Sequence, residues 1–118
     1  MKYALLLYSD PARGAGMTPE EIAEARASVM PRWQALFEYL REAAASVSGV
    51  ELDEPESART LRPGDGDWLV TDGPFAETKE QIGGVFFVEC EDLDEAIEMA
   101  ARIPLAEHGS VEIRPIPQ

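Results

Sequence analysis

The chain has 118 residues, of which 45% are hydrophobic, and its 23 acidic and 10 basic side chains give a formal net charge of -13. This length suits one domain, spanning residues 1–118, that is large enough for a single core. The acidity disfavours direct binding to nucleic acid or to an anionic membrane because it repels phosphate groups, and it indicates either solubility or attraction to a cationic partner.

The N-terminal segment predicts a buried strand. Residues 3–8 form a continuous apolar run, as expected of a central strand. The run is too short for a signal peptide, and Ser9-Asp10-Pro11 ends it without a small-residue cleavage site. No other stretch approaches the roughly 20 apolar residues of a membrane helix. Cys90 is the only cysteine, so no intrachain disulfide can form, and we expect a cytoplasmic protein.

A long amphipathic helix is predicted next. Thr18 can cap it, Pro19 suits the first helical position, and Glu21 can complete a capping box. Apolar residues at helical spacing are expected to face a core, and they are Ile22, Ala25, Val29, Trp33, Leu36, Phe37, Leu40 and Ala44. Pro31 lacks a donor and clashes with the preceding turn, so we expect a kink or a break there. Ser48-Gly49 is expected to close the helix.

The middle of the chain predicts short strands joined by turns. Residues 50–52 and 58–61 flank a polar loop. Pro63-Gly64-Asp65-Gly66 has the composition of a turn, and residues 67–71 form the next strand candidate. Residues 83–90 predict another central strand because of their aromatic and β-branched content.

A second helix and a closing strand complete the predicted elements. Asp92 and Glu95 predict a capping box at the start of the helix, and Pro104 predicts its end. Its buried stripe is expected to comprise Leu93, Ala96, Ile97, Ala100 and Ile103. The closing strand is marked by Val111, Ile113 and Ile116, with Glu112 and Arg114 on the opposite face. This order predicts an α+β fold, a ferredoxin-like antiparallel sheet with two helical regions on one face.

The segment from Asp72 to Gly84, with the sequence DGPFAETKEQIGG, carries a family resemblance. It resembles the signature of the DGPF subgroup of YCII-related proteins, and the match extends to the opening strand, to residues 92–96 and to residues 109–115. The resemblance implies a homodimer in which two sheets pack face to face as a dimeric α+β barrel. It also implies a role linked to extracytoplasmic-function sigma factors, beside which members of this subgroup are often encoded. Protein contact, and not DNA contact, is expected here because the chain is acidic.

The DGPF segment supplies four candidate site residues. Asp72 can act as a catalytic acid or base in a cleft, or it can cap the turn formed by Gly73-Pro74-Phe75, in which Phe75 is expected to make an apolar contact. Glu77, Lys79 and Glu80 can bind a polar ligand, or they can form a solvated cluster of ion pairs.

The first and last strands supply three more candidates. Together with Asp72, the side chains of Tyr8, Glu112 and Arg114 can line a polar pocket between two protomers. A bidentate Arg114 would recognise a carboxylate or a phosphate there. The alternative is an internal salt bridge between Arg114 and an acidic side chain.

Histidine and cysteine chemistry is limited. His108 is the only histidine, so it is either the one histidine acid or base or an exposed turn residue. Relatives in the broader YCII group carry a histidine and aspartate pair that has been suggested as an active site, but Met30-Pro31-Arg32-Trp33-Gln34 has no histidine, so we do not transfer that mechanism. Cys90 is expected to be a buried structural thiol. We expect no cofactor and no zinc site, and a carboxylate-only Mg²⁺ or Ca²⁺ site stays open.

Two functional classes follow from these residues. The first is a small homodimeric domain that binds a small polar or anionic ligand or serves as an accessory or regulatory module. The second is a lyase-like or isomerase-like enzyme in which Asp72 transfers a proton, while Arg114 or Lys79 stabilises an anionic intermediate.

Overall fold

Strands and helices alternate along the chain. The computed structural model describes the backbone of residues 1–118 and all side chains except those of residues 106 and 107. The elements are β1 (Lys2–Ser9), α1 (Pro19–Ala43), β2 (Ser46–Glu51), β3 (Arg59–Pro63), β4 (Trp68–Asp72), β5 (Gln81–Glu89), α2 (Leu93–Ala101) and β6 (Gly109–Pro115). Short 3-10 helices span Pro11–Gly14, Pro55–Ser57 and Pro104–Glu107.

Four strands form one antiparallel sheet in the order β2-β5-β1-β6. With β3 and β4 set aside, the connectivity is β-α-β-β-α-β, which is consistent with the predicted ferredoxin-like arrangement. β3 and β4 pair with each other in a separate two-stranded sheet that is inserted between β2 and β5. We call this hairpin, residues 59–72, the arm. Within the described residues, no helix is long and apolar enough to cross a membrane.

The core lies between one face of the four-stranded sheet and the two helices. Alternate residues of β1 and one residue of β5 point into it, namely Tyr3, Leu5, Leu7 and Val88. The helices and the segment after α2 supply Leu36, Leu40, Ala96, Met99, Ala100 and Ile103. Both helices therefore cover the same face. The opposite face, which we call the open face, carries half-exposed apolar side chains such as Phe87, at 46% exposure.

Both predicted helix caps are present, with one difference. The Thr18 hydroxyl accepts a hydrogen bond from the Glu21 N–H at 3.1 Å, and the Glu21 carboxylate accepts one from the Thr18 N–H at 3.0 Å. At α2, the Asp92 carboxylate accepts from the Glu95 N–H at 2.9 Å. The Glu95 carboxylate instead accepts from the N–H of Glu91 at 3.3 Å, so the second capping box is displaced by one residue.

The predicted limits of α1 need correction. The helix passes through Pro31 as one element, so the predicted break is wrong. Pro31 is exposed, and water can solvate a carbonyl that the proline leaves without a helical donor. The helix ends at Ala43, and Ser48-Gly49 lies inside β2. Gly49 serves close packing there, since an added Cβ would lie 2.5 Å from the Phe86 ring.

The predicted stripe of α2 is correct in part. Ala96, Ala100 and Ile103 are buried, but Leu93 and Ile97 are about half exposed, and Met99 is fully buried in their place. This pattern follows from the direction in which the short helix lies on the sheet, which periodicity alone does not specify.

Candidate functional site

A cleft of about 520 Å³ lies between α1 and the covered face of the sheet. Its volume falls within the range of small-molecule sites, which are concave and mostly apolar. Most of its walls come from the side chains of Leu7, Val29, Met30, Trp33, Phe37, Phe86 and Leu105. The stripe of α1 that was predicted to face a core therefore divides, because Leu36 and Leu40 enter the core whereas its neighbours line the cleft.

Three aromatic rings form one wall of the cleft. The ring centroids of Trp33 and Phe37 lie 6.2 Å apart, and those of Phe37 and Phe86 are also 6.2 Å apart. Tilted pairs at this separation attract each other beyond their simple burial. The wall joins α1 to β5 and offers flat apolar surface to a bound molecule.

Glycines keep the sheet side of the cleft open. Leu7 pairs with Gly84, but the next residue, Tyr8, pairs with Ile82, so Gly83 is an extra residue in β5. Such an irregularity bends a strand locally. A Cβ added at Gly83 would meet no atom within 4 Å, and Gly83 lines the cleft. A larger side chain there can enter the cleft without a clash at its first atom.

Arg26 and Glu51 form an ion pair at the cleft. Nη2 of Arg26 lies 3.2 Å from each carboxylate oxygen of Glu51, and the two side chains are 63% and 69% exposed. Exposed pairs of this kind contribute only about 0 to 1 kcal/mol, so the pair can open at little cost. Among the described lining residues, Arg26 is the only cation.

Asp72 lies away from this cleft, on the arm. Its side chain is 89% exposed, and its Oδ1 lies 3.1 Å from Nε of Arg59, the residue directly opposite on β3. Gly73 follows with a φ of 93°, a value that favours glycine. Phe75 is 76% exposed and stacks under the Arg62 guanidinium, 5.0 Å from its ring centroid, instead of making the expected apolar contact. The Asp72 carboxylate thus forms an exposed ion pair at the base of the arm.

The other predicted site residues lie in two places. Tyr8 pairs with Ser110 on β6, and the Ser110 hydroxyl donates a hydrogen bond to Glu80 at 3.3 Å. Glu112 and Arg114 form a salt bridge along β6. The structure thus brings Tyr8 and Glu80 together at one end of the sheet.

Two further candidates from the DGPF segment are exposed. Glu77 and Lys79 lie at the surface between β4 and β5. None of the seven predicted site residues lines the cleft, as judged from the described part of the chain.

His108 and Cys90 lie outside the cleft. His108 is exposed and ends the 3-10 helix before β6. Cys90 is buried, and its pKa is raised by burial and by the negative charge of Glu95. The described side chains contain no group of three or more histidine, cysteine, aspartate or glutamate residues placed to hold a metal ion.

Val29, Trp33 and Phe37 were absent from the sequence-based site because they were assigned to the core-facing stripe of α1. Two signals pointed to them. The apolar stripe of α1 starts at Ile22, well before the part of the helix that is buried, and the adjacent Gly83 and Gly84 interrupt an otherwise bulky strand. Neither signal shows by itself whether the helix contacts the sheet or is separated from it by a gap.

Comparison with known proteins places the chain in a family. The model of the YCII-related domain matches residues 1–118. An uncharacterized protein of Rhizobium meliloti (strain 1021) is 36% identical over 118 residues, an alignment that covers 98% of this chain and 92% of the relative. The chain therefore belongs to the family of YCII-related domains.

Proposed function

We propose that this protein is a homodimeric binding domain whose cleft holds a small, largely apolar molecule with one anionic group. The cleft of about 520 Å³ is the observation that supports this proposal. Its walls are apolar and aromatic, and Arg26 is the only cation among its described lining residues. An anionic group would replace the Glu51 carboxylate on Arg26, and the rest of the ligand would lie against Trp33, Phe37 and Phe86. A bound molecule of this kind suits an accessory or regulatory domain.

Binding explains the cleft better than proton transfer does. A general acid or base must reach the proton that it moves. Asp72, the residue proposed for that role, is 89% exposed and paired with Arg59. At the cleft, the Arg26 guanidinium and the Glu51 carboxylate pair with each other. These contacts support recognition of a ligand and supply no isolated catalytic group.

The homodimer is part of the proposal, as a dimeric α+β barrel formed through the open face. Phe87 and Val50 are 46% and 60% exposed on that face, and a second sheet would remove them from water. Light scattering at micromolar concentration tests this, since a monomer would contradict it. The sigma-factor link is tested separately by co-purification from cells, with loss of the sigma factor expected when the ligand is removed.

The cleft is tested with a fluorescent probe, 1-anilinonaphthalene-8-sulfonate, which is apolar and carries one anionic group. We expect saturable binding that weakens at least about tenfold, or by about 1.4 kcal/mol, in Gly83→Leu, because the new side chain fills the cleft. Gly14→Leu is the matched control, since a Cβ there also meets open space and Gly14 lies outside the cleft. Equal affinity in Gly83→Leu and the unmodified protein would refute the site.

The charge of the ligand is tested with Arg26→Gln. This variant should weaken binding of the anionic probe but leave binding of the uncharged N-phenyl-1-naphthylamine unchanged, because only the anionic probe gains an ion pair. If both probes lose affinity equally, Arg26 acts through packing and the proposed anionic group is wrong.

A further inference from the structure

The arm, residues 59–72, has one apolar face that stays largely exposed among the described residues. In an antiparallel pair, directly opposed side chains point to the same side. The register therefore places together three pairs, Arg59–Asp72, Leu61–Val70 and Pro63–Trp68. Leu61, Val70 and Trp68 are 56%, 60% and 63% exposed. The other face carries Thr60 with Thr71 and Arg62 with Leu69.

Hydrogen bonds hold the arm at its base, and farther along it Nη2 of Arg62 donates to the Phe75 carbonyl at 3.2 Å, with the guanidinium over the Phe75 ring. The Gly73 N–H donates to the carbonyl of Ala58 at 2.8 Å, and the Thr60 hydroxyl donates to the carbonyl of Gly73 at 2.8 Å. A two-stranded hairpin is at best marginally stable in water unless a further surface packs on it. The described residues leave the apolar face of the arm largely exposed, so a further surface packed on it would stabilise the hairpin.

The molecule is flat and extended. The Cα radius of gyration is 16.5 Å, whereas a compact chain of this length has a value of roughly 13 to 14 Å. The principal extents are 48, 43 and 18 Å. The smallest extent accommodates one sheet and one layer of helices, which are about 10 Å apart. The large extents and the thin third dimension are consistent with an arm that extends away from a flat body.

The distribution of charge favours a second copy of the same chain as the partner. On the open face, Lys2 and Arg114 balance Glu89 and Glu112, as the strand register places all four there. The arm has two basic and three acidic residues. Almost all of the net charge of -13 therefore lies elsewhere. A cationic partner would seek that acidic surface, whereas the nearly neutral open face and arm suit association between identical chains.

The area of the open face also leaves a role for the arm. Four strands about 4.8 Å apart and about seven residues long, at about 3.3 Å per residue, outline a face of roughly 440 Å². A typical stable complex buries about 800 Å² on each partner. The flat outline is roughly half of this value before the relief of the side chains is counted, and the arm adds further apolar surface to the contact.

We propose that the arm of each protomer packs its Leu61–Val70–Trp68 face against a second copy of this chain, reciprocally about a two-fold axis. This inference rests on the homodimer of the proposed function, and it names the arm as the element that contacts the partner. In a two-fold contact the same arm and receiving surface occur twice, so each residue contributes two contacts.

The test compares two neighbouring substitutions that change charge equally. Val70→Glu alters the apolar face of the arm, and Leu69→Glu alters the opposite face at similar exposure, 54% against 60%. Sedimentation equilibrium of the full chain should show a dimer dissociation constant raised at least about tenfold by Val70→Glu, and little changed by Leu69→Glu. Circular dichroism checks that both variants fold.

The outcomes separate this inference from the rest of the proposal. If Val70→Glu leaves the dimer intact, the proposed contact of the arm is wrong. The proposed dimeric barrel would not be contradicted by that result. Equal weakening by the two substitutions would also overturn the arm contact, because the effect would not depend on the face. A monomeric unmodified protein would remove both the arm contact and the barrel, whereas probe binding in the cleft would still decide the ligand proposal.

Trp68 gives a second measurement that does not rely on disrupting the arm. The chain has two tryptophans, so Trp33→Phe leaves Trp68 as the single emitter. Dilution through the dissociation constant should shift its emission to longer wavelength as the ring becomes hydrated. A dimer that dissociates with no change in Trp68 emission would contradict the proposed contact.

Discussion

Asp72 forms an exposed ion pair at the base of the arm. Its carboxylate closes the base of the arm by pairing with Arg59, and both side chains are largely exposed. Exposed pairs contribute at most about 1 kcal/mol. We therefore expect Asp72→Asn to change the free energy of unfolding by less than that amount and to leave probe affinity in the cleft unchanged. Urea titration and probe binding check this, and a complete loss of binding would contradict it.

Cys90 is the second residue with a defined chemical expectation. Burial, followed by the charge of Glu95, raises the pKa of its thiol, and only 6% of the residue is exposed. We predict slow reaction with a thiol reagent in the folded protein and fast reaction after unfolding. Since the thiol pKa is higher in the folded state, the stability that it contributes should decline as pH rises beyond the ordinary value of about 8.5. A native rate equal to that of free cysteine would contradict this prediction.

Thr18 and Glu21 together set the start of α1. The Thr18 N–H, which donates to the Glu21 carboxylate, lowers the pKa of that group. Thr18→Ala should destabilise the protein by about 1 kcal/mol, whereas Ser28→Ala, a hydroxyl deletion within the same helix, should have little effect. Urea titration measures both. The folded-state pKa of Glu21 is lowered, so its contribution is present above the ordinary carboxyl pKa and is lost as pH falls through the lowered value.

At the scale of elements, the pairing of β1 with β6 depends on a close backbone approach at Gly109. A Cβ there would lie 2.2 Å from the carbonyl oxygen of Tyr8. Gly109→Ala should therefore cost about 1 to 3 kcal/mol, as overpacking does in a core. Gly14→Ala, where a Cβ meets open space, is the control for chemical denaturation. Equal stability of the two variants would show that β6 moves to accept the methyl group.

The periodic pattern of α1 predicts an apolar face but not how far each part of that face lies from the sheet. Its apolar stripe begins at Ile22, which is 41% exposed, and becomes buried only at Leu36 and Leu40. The stripe was predicted correctly as a face of a helix. Its division between core and cleft depends on how far the N-terminal half stands from the sheet, and no residue within the helix encodes that distance.

For the whole molecule, the net charge of -13 opposes association of two copies. Salt weakens this repulsion, since the Debye length falls from about 30 Å at 0.01 M to about 3 Å at 1 M ionic strength. We predict that the dimer dissociation constant decreases as salt is added over this range, as measured by sedimentation equilibrium. A constant that increases with salt would show that attraction between charges holds the protomers together.

Local signals in the sequence determined much of this protein. The caps at Thr18 and Asp92 and the central strands β1 and β5 were predicted, because each depends on residues close together in the chain. The order of the elements along the chain predicted an α+β fold with an antiparallel sheet. Such features need only short-range hydrogen bonding and side-chain periodicity.

The tertiary structure alone decided where the surfaces for binding lie. From the sequence, Trp33 and Phe37 were predicted to face the core. In the structure they line a cleft because a gap separates α1 from the sheet there. Asp72 stays a predicted site residue, and the fold places it on the arm, paired with Arg59 and outside the cleft. Both outcomes depend on distances between elements remote in sequence, and these distances are set by how the whole chain packs, through contacts that no single segment specifies.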